Sequence, residues 1–223
     1  MATRSVSLAV NSREQARMTP LRLPGKLDMP CTARALVLFV GVRRGSWWRM
    51  HNAHLAHVMQ QHGFGTLLID MLSGKEAADG RNCADIGLLA SRVGSLLSWV
   101  GRRRELSALP TGLMSAGTGV AAAMVAAAMR PGSLLALVSM GGLPDLAAGH
   151  LACIEAPTLL MVGGADPEVL AANRAALRLM RCNKRLEVIP GATHQFEEPG
   201  AIDCVAEMAA EWFDRHLATP RMA

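Results

Sequence analysis

Three short stretches carry residue types whose spacing could do chemistry. The first is LMSAGTGVAAAM, Leu113 to Met124, where a strand-like run passes through Ser115, Gly117, Thr118 and Gly119 into an Ala-rich, helix-favouring segment. A sharp strand-to-helix turn of this kind displays a nucleophile or cradles a phosphate. The second is Asp166, which follows the apolar run TLLMVGGAD and precedes PEVLAANRAAL. The third is His194, in the loop PGATHQFEEPG after another strand-like run. Taken alone, Asp166 reads as an N-cap with Pro167 at the first helical position, and His194 as an exposed loop histidine. Taken in order, strand, Asp, helix, strand, His and helix give the later acid and base of a serine-type triad. There the carboxylate fixes the imidazole tautomer and the imidazole takes the nucleophile's proton.

The nucleophile of such a relay belongs upstream, on a tight turn whose neighbours are small because the turning residue takes a positive φ. Centred on Ser115, the flanks two positions away are Leu113 and Gly117, and leucine is too large. Centred on Gly117, the flanks are Ser115 and Gly119, both small. The second register is sterically right, but glycine has no side chain to attack with. The run GTGVAA also fits a dinucleotide fingerprint, yet the next strand, LLALVSMGG, ends without the acidic residue that would hold a ribose. His51, His54 and His57 recur every three residues on a predicted helix. No carboxylate or cysteine is placed to complete a metal shell with them, so they read as a polar helix face and no metal or other cofactor is expected.

The elements that must position these residues alternate along the chain. Residues 5–10 and 19–24 read as weak strands of an N-terminal ribbon within residues 1–30. The runs ARALVLFVGV, GTLLIDML, PTGLMSA, SLLALVSMGG, APTLLMVGGAD and KRLEVIPG read as strands, the longer ones buried on both faces. Helical patterns separate them, from HNAHLAHVMQQHG to the closing PGAIDCVAEMAAEWFDRHLA. Such alternation predicts an α/β fold: one domain over residues 1–223 with a core over 33–217, and a mainly parallel, doubly wound sheet with helices on both faces. Function then gathers at the carboxyl ends of the strands, near Phe39, Asp70, Ser115 to Gly119, Met140, Asp166 and His194.

The composition narrows the setting. The chain has 223 residues, 51% hydrophobic and 18% charged, enough for one substantial core. Its net charge of +5 comes mostly from scattered arginines. The cluster GRRR (Gly101 to Arg104) reads as a solvated helix end, so no nucleic-acid partner is expected. Five widely spaced cysteines with no Cys-x-x-Cys pair argue against a disulfide framework or structural zinc and suit a reducing cytoplasm. No apolar h-region opens the chain, and GVAAAMVAAAM is too short to span a bilayer, so neither secretion nor a membrane partner is expected.

From about Ser5 to Leu217 the chain resembles the dienelactone hydrolase-like branch of the α/β-hydrolase fold. Members of that branch carry a turn like GLFGASTGAAAAL, whose serine after Gly-Ala attacks an ester or lactone carbonyl. The matching run is GLMSAGTGVAAAM, Gly112 to Met124. Aligned without a gap, the nucleophile position falls on Gly117 and the preceding glycine on Ser115. The resemblance puts the family acid at Asp166 in VGGADPEVLAANRAAL and the family histidine at His194 in VIPGATHQFEEPGA. The helix ADIGLLASRV also resembles its counterpart. In this register the Thr118 amide is the oxyanion donor and its side chain points elsewhere. Relatives often read LVLFAHGSGSS after the first long strand, where a His-Gly loop contributes an oxyanion amide. Here Gly41-Val42 replaces it, and Arg43, Arg44, Trp47 and Trp48 crowd the expected pocket mouth.

Loss of a triad nucleophile removes about 10⁶-fold in rate. The resemblance therefore implies a degenerate hydrolase or a binder of a small ester, lactone or related ligand. The alternative is a working hydrolase that uses Ser115, or a water activated by His194 with Asp166. The Trp47-Trp48 pair would serve as a lid or as a patch for a protein partner or a second copy.

Overall fold

The computed structural model describes residues 2–10, 21–42 and 46–217. Eight strands form one sheet: β1 (Ala2–Val10), β2 (Leu21–Met29), β3 (Ala35–Gly41), β4 (Phe64–Asp70), β5 (Thr111–Ala116), β6 (Ala136–Met140), β7 (Thr158–Gly163) and β8 (Lys184–Ile189). Their order is β1-β2-β4-β3-β5-β6-β7-β8. β1 and β2 pair antiparallel as a ribbon, and β2 joins β4 antiparallel. From β4 to β8 every pairing is parallel. All residues of β3, β6 and β7 are buried, as continuous apolar runs between two helical layers must be.

Alternation along each strand divides the core. Leu36, Leu38 and Val40 of β3 face one layer, built on α4 (Ile86–Gly101), α5 (Thr118–Met129) and α6 (Pro167–Leu179). Val37 and Phe39 face the other, built on α1 (Ser46–Gln61) and α7 (Ala201–His216). α1 stops at Gly63, whose φ of 78° suits a residue without Cβ. α5 is buried from Gly119 to Ala127, which explains its small residues and its lack of a polar face. Gly112 lets α7 approach β5: a Cβ there would lie 2.6 Å from Phe213 Cε1.

The ribbon and the parallel core match the expected architecture, with strand limits moved by a few residues and α1 starting at Ser46 rather than His51. Three segments were not foreseen. They are α2 (Gly74–Ala77), α3 (Gly80–Ala84) and a 3-10 segment over Pro144–Cys153. No helix among the described residues is long and apolar enough to cross a membrane.

Candidate active site

The turn from β5 into α5 has its tip at Gly117, with φ 56° and ψ −134°. This is backbone that L side chains adopt only under strain. A Cβ built there would meet nothing within 4 Å, so the tip opens onto free space. Gly119 is the reverse case. Its Cβ would lie 2.4 Å from Ser115 Oγ and 3.1 Å from Val42 Cγ2, so only glycine lets the first turn of α5 settle on the ends of β5 and β3. Ser115 therefore sits beneath the turn, 1% exposed, and its hydroxyl donates to the Val40 carbonyl at 2.9 Å. Thr118 directs its hydroxyl away from the tip, donating to the Cys83 carbonyl at 2.9 Å. Gly41 ends β3 and accepts from the Met71 amide at 2.7 Å, while Val42 is buried.

Asp166 stands at the N-cap of α6 with Pro167 after it, but its side chain makes no cap bond. The residue keeps the N-cap position of the plainer reading, but its carboxylate turns to the histidine loop instead. One oxygen, Oδ2, accepts from the His194 amide and pairs with His194 Nδ1 at 2.7 Å. Bonds from the His194 amide, then from its ring, hold the Asp166 carboxyl below the usual range against a smaller opposing effect of burial. With Nδ1 occupied, Nε2 is the free nitrogen, as in an acid–base pair. Glu198, also held low, accepts from its own backbone amide and from the Thr193 amide, the latter at 3.0 Å. Phe196, fully buried at a φ of 56°, completes the loop.

A three-residue link after β6 joins these parts. A Cβ on Gly141 would meet the His194 carbonyl at 2.2 Å, and the Leu143 amide donates to the Gly117 carbonyl at 3.3 Å. Between them, the Gly142 carbonyl accepts from Asn173 Nδ2 at 3.0 Å. Asn173, fully buried on α6, is a residue that sequence reasoning missed. The structure thus brings Gly117, Asp166 and His194 to one rim and leaves Ser115 below it. Trp47 and Trp48 lie on the backbone of α1, while their side chains, and Arg43 and Arg44 altogether, fall outside the described residues. His54 pairs with Asp203 at 2.8 Å and His57 with Gln61 at 3.1 Å. Among the described residues no group of three or more His, Cys, Asp or Glu could hold a metal.

No family profile matches the chain. A crystal structure of dienelactone hydrolase from Anabaena variabilis is 41% identical, with a TM-score of 0.87 over 97% of this chain and 99% of that one. The chain belongs to the dienelactone hydrolase family. Two proteins of Mycobacterium tuberculosis, provisionally named phosphoribosyl transferase, are also 41% identical to this family member over 201 residues. That match covers 90% of this chain and 45% of each of theirs, so the chain spans about half the length of these curated relatives. The esterase domain of a Rhodothermus marinus protein shares the hydrolase fold at 15% identity and a TM-score of 0.74, over 97% of this chain and 100% of that one.

Proposed function

We propose that this dienelactone hydrolase-family chain keeps the acid–base pair and the strained turn but not the serine. On this reading it binds a small ester, lactone or related ligand without forming an acyl-enzyme. Gly117 carries the proposal, because a turn at φ 56° and ψ −134° with open space at its Cβ is built to present a side chain that this chain does not have. Ser115 is a poor substitute: it is buried, and its proton is committed to the Val40 carbonyl. Raising it to the tip would need a two-residue slip of β5 and would displace the fully buried Leu113. Five unpaired cysteines suit a cytoplasmic setting for such a protein.

A second reading rests on the assembled Asp166–His194 pair. The space left by the missing side chain would admit a water, and His194 Nε2 would take its proton as it attacks a bound carbonyl.

Fluorophosphonate labelling and activated-ester hydrolysis, compared between the parent and Gly117→Ser, test both. The parent is expected to stay unlabelled and silent. Gly117→Ser is expected to label at position 117 and to gain hydrolysis, at a stability cost of about 1–3 kcal/mol for the strained backbone. Labelling of Ser115 in the parent overturns the proposal. Hydrolysis by an unlabelled parent, abolished in His194→Ala, selects the water reading.

A further inference from the structure

Among the described residues β8 pairs with β7 alone, which leaves its other edge open. The carbonyls of Asn183 and Ile189 accept from Thr158 and Gly164 of the β7 side, each at 2.8 Å. The odd-numbered residues of β8 therefore aim N–H and C=O at β7, and by alternation Lys184, Leu186 and Val188 aim theirs outward. A lysine on an edge ordinarily blunts it with charge. Here Lys184 is folded back, its Nζ donating to the Met180 carbonyl at the end of α6. Leu179 and Val188, at 49% and 37% exposure, leave apolar surface on the α6 side of this edge. On the α7 side Arg185 and Glu187 pair with each other beside a cleft that Glu211 and Arg215 flank over Trp212.

The geometry points to a second copy of this chain on that edge, its β8 antiparallel to this one, so that two sheets become one continuous sheet about a twofold axis. Outward-facing residues must meet outward-facing residues to exchange their hydrogen bonds. Centred on Leu186, the pairing sets Leu186 against Leu186 and Lys184 against Val188 as hydrogen-bonded pairs. It also sets Arg185 against Glu187 of the second copy in the close, non-hydrogen-bonded positions, about 4.5 Å apart at Cα. One step to either side centres Arg185 on Arg185 or Glu187 on Glu187, which opposes like charges. The hydrogen-bond phase is the same in all three registers, since outward-facing residues meet in each, and charge selects the one centred on Leu186. A six-residue strand alone falls short of the roughly 1,000 Å² that a stable interface buries. The flanking Leu179 on one face, and Glu211 with Arg215 on the other, supply the remaining contact.

Sedimentation equilibrium of the full chain tests this with three proteins. The parent is expected at twice the chain mass, and Glu187→Arg, which sets arginine against arginine, at the mass of one chain. The doubly swapped Arg185→Glu/Glu187→Arg is expected to regain the dimer. Circular dichroism checks that each variant is folded. A parent that stays at the mass of one chain at every concentration overturns the proposal and leaves the edge to a strand of another protein. A dimer that survives Glu187→Arg overturns it as well. Should Glu187→Arg fail to fold, Leu186→Cys decides, in a chain whose exposed Cys31 and Cys153 are serine. The two central residues would lie about 5.5 Å apart at Cα, within disulfide reach, so mild oxidation is expected to cross-link the copies. Absence of cross-linking overturns the pairing.

Discussion

Asp166 commits one carboxylate oxygen to two donors of the same residue, the amide and the ring of His194. Both bonds favour the charged carboxylate, so its folded pKa lies below the unfolded value of about 3.9. A depressed carboxyl contributes stability that is complete above the unfolded value and is lost as pH falls through the folded one. Asp166→Asn has no such proton to gain. Its deficit in melting temperature against the parent is therefore expected at about pH 7 and should shrink towards about pH 3. The pair is partly exposed, so the deficit corresponds to about 1 kcal/mol or less. Glu76 is shifted in the same direction and steepens the acid loss of both proteins equally, so it cancels in the comparison. Glu198 is also held low, but the Asp166 charge raises it slightly, so Asp166→Asn lowers it a little further and only its main shift cancels. Calorimetry at the two pH values checks this, and a deficit that does not change with pH would refute it. The meeting of Asp166 and His194 was readable in the sequence because an Asp and a His follow successive strand ends there. Asn173 was not, because its tie to Gly142 spans 31 residues and leaves no periodic trace.

The join of β5 to α5 is where element packing and candidate chemistry coincide. Gly119 must lack a Cβ because Ser115 Oγ occupies that place, and Ser115 is held there by Val40 of the neighbouring strand. Gly119→Ala is expected to destabilise by about 1–3 kcal/mol through overpacking. Ser115→Ala removes the obstructing oxygen, so the double variant should recover part of that loss, with a coupling of about 1 kcal/mol. Urea unfolding of the four proteins of this cycle measures it, and purely additive losses would mean that the close approach is not what makes glycine necessary. The buried strands and α5 were legible because continuous apolar runs and small residues record burial on all sides. α2 and α3 were not, although Ser73 and Glu76 close a capping box that the spacing S-x-x-E announces. These helices of four and five residues carry no hydrophobic period. They are held from outside, by Arg92 of α4 bridging Glu76 and the Met71 carbonyl and by Thr118 bonding Cys83. Burial alone would raise the Glu76 pKa, but the bonds from Arg92 and Ser73 outweigh it and leave the carboxyl low.

Across the whole molecule the two core layers are separate clusters of side chains that share the same strands. β3 gives Leu36, Leu38 and Val40 to one layer and Val37 and Phe39 to the other, so neither layer can dissolve without withdrawing support from the other. The candidate site depends on that unity. Its turn leads into α5, while the histidine loop runs on to α7 on the opposite face of the sheet. Chains of more than about 150 residues often unfold through intermediates, but a shared sheet argues for one transition. Two tryptophans report the layers separately: Trp99 packs against the first and Trp212 lies in the second. With Trp47 and Trp48 replaced by phenylalanine, variants that keep Trp99 alone or Trp212 alone are expected to lose native fluorescence at the same urea concentration. That midpoint should match the far-ultraviolet circular dichroism of each variant. A Trp212 transition that precedes the Trp99 transition would mean that α7 detaches first. The histidine loop would then lose its anchor before the turn at Gly117 does, and the Asp166–His194 pair would part from that turn within a sheet still intact.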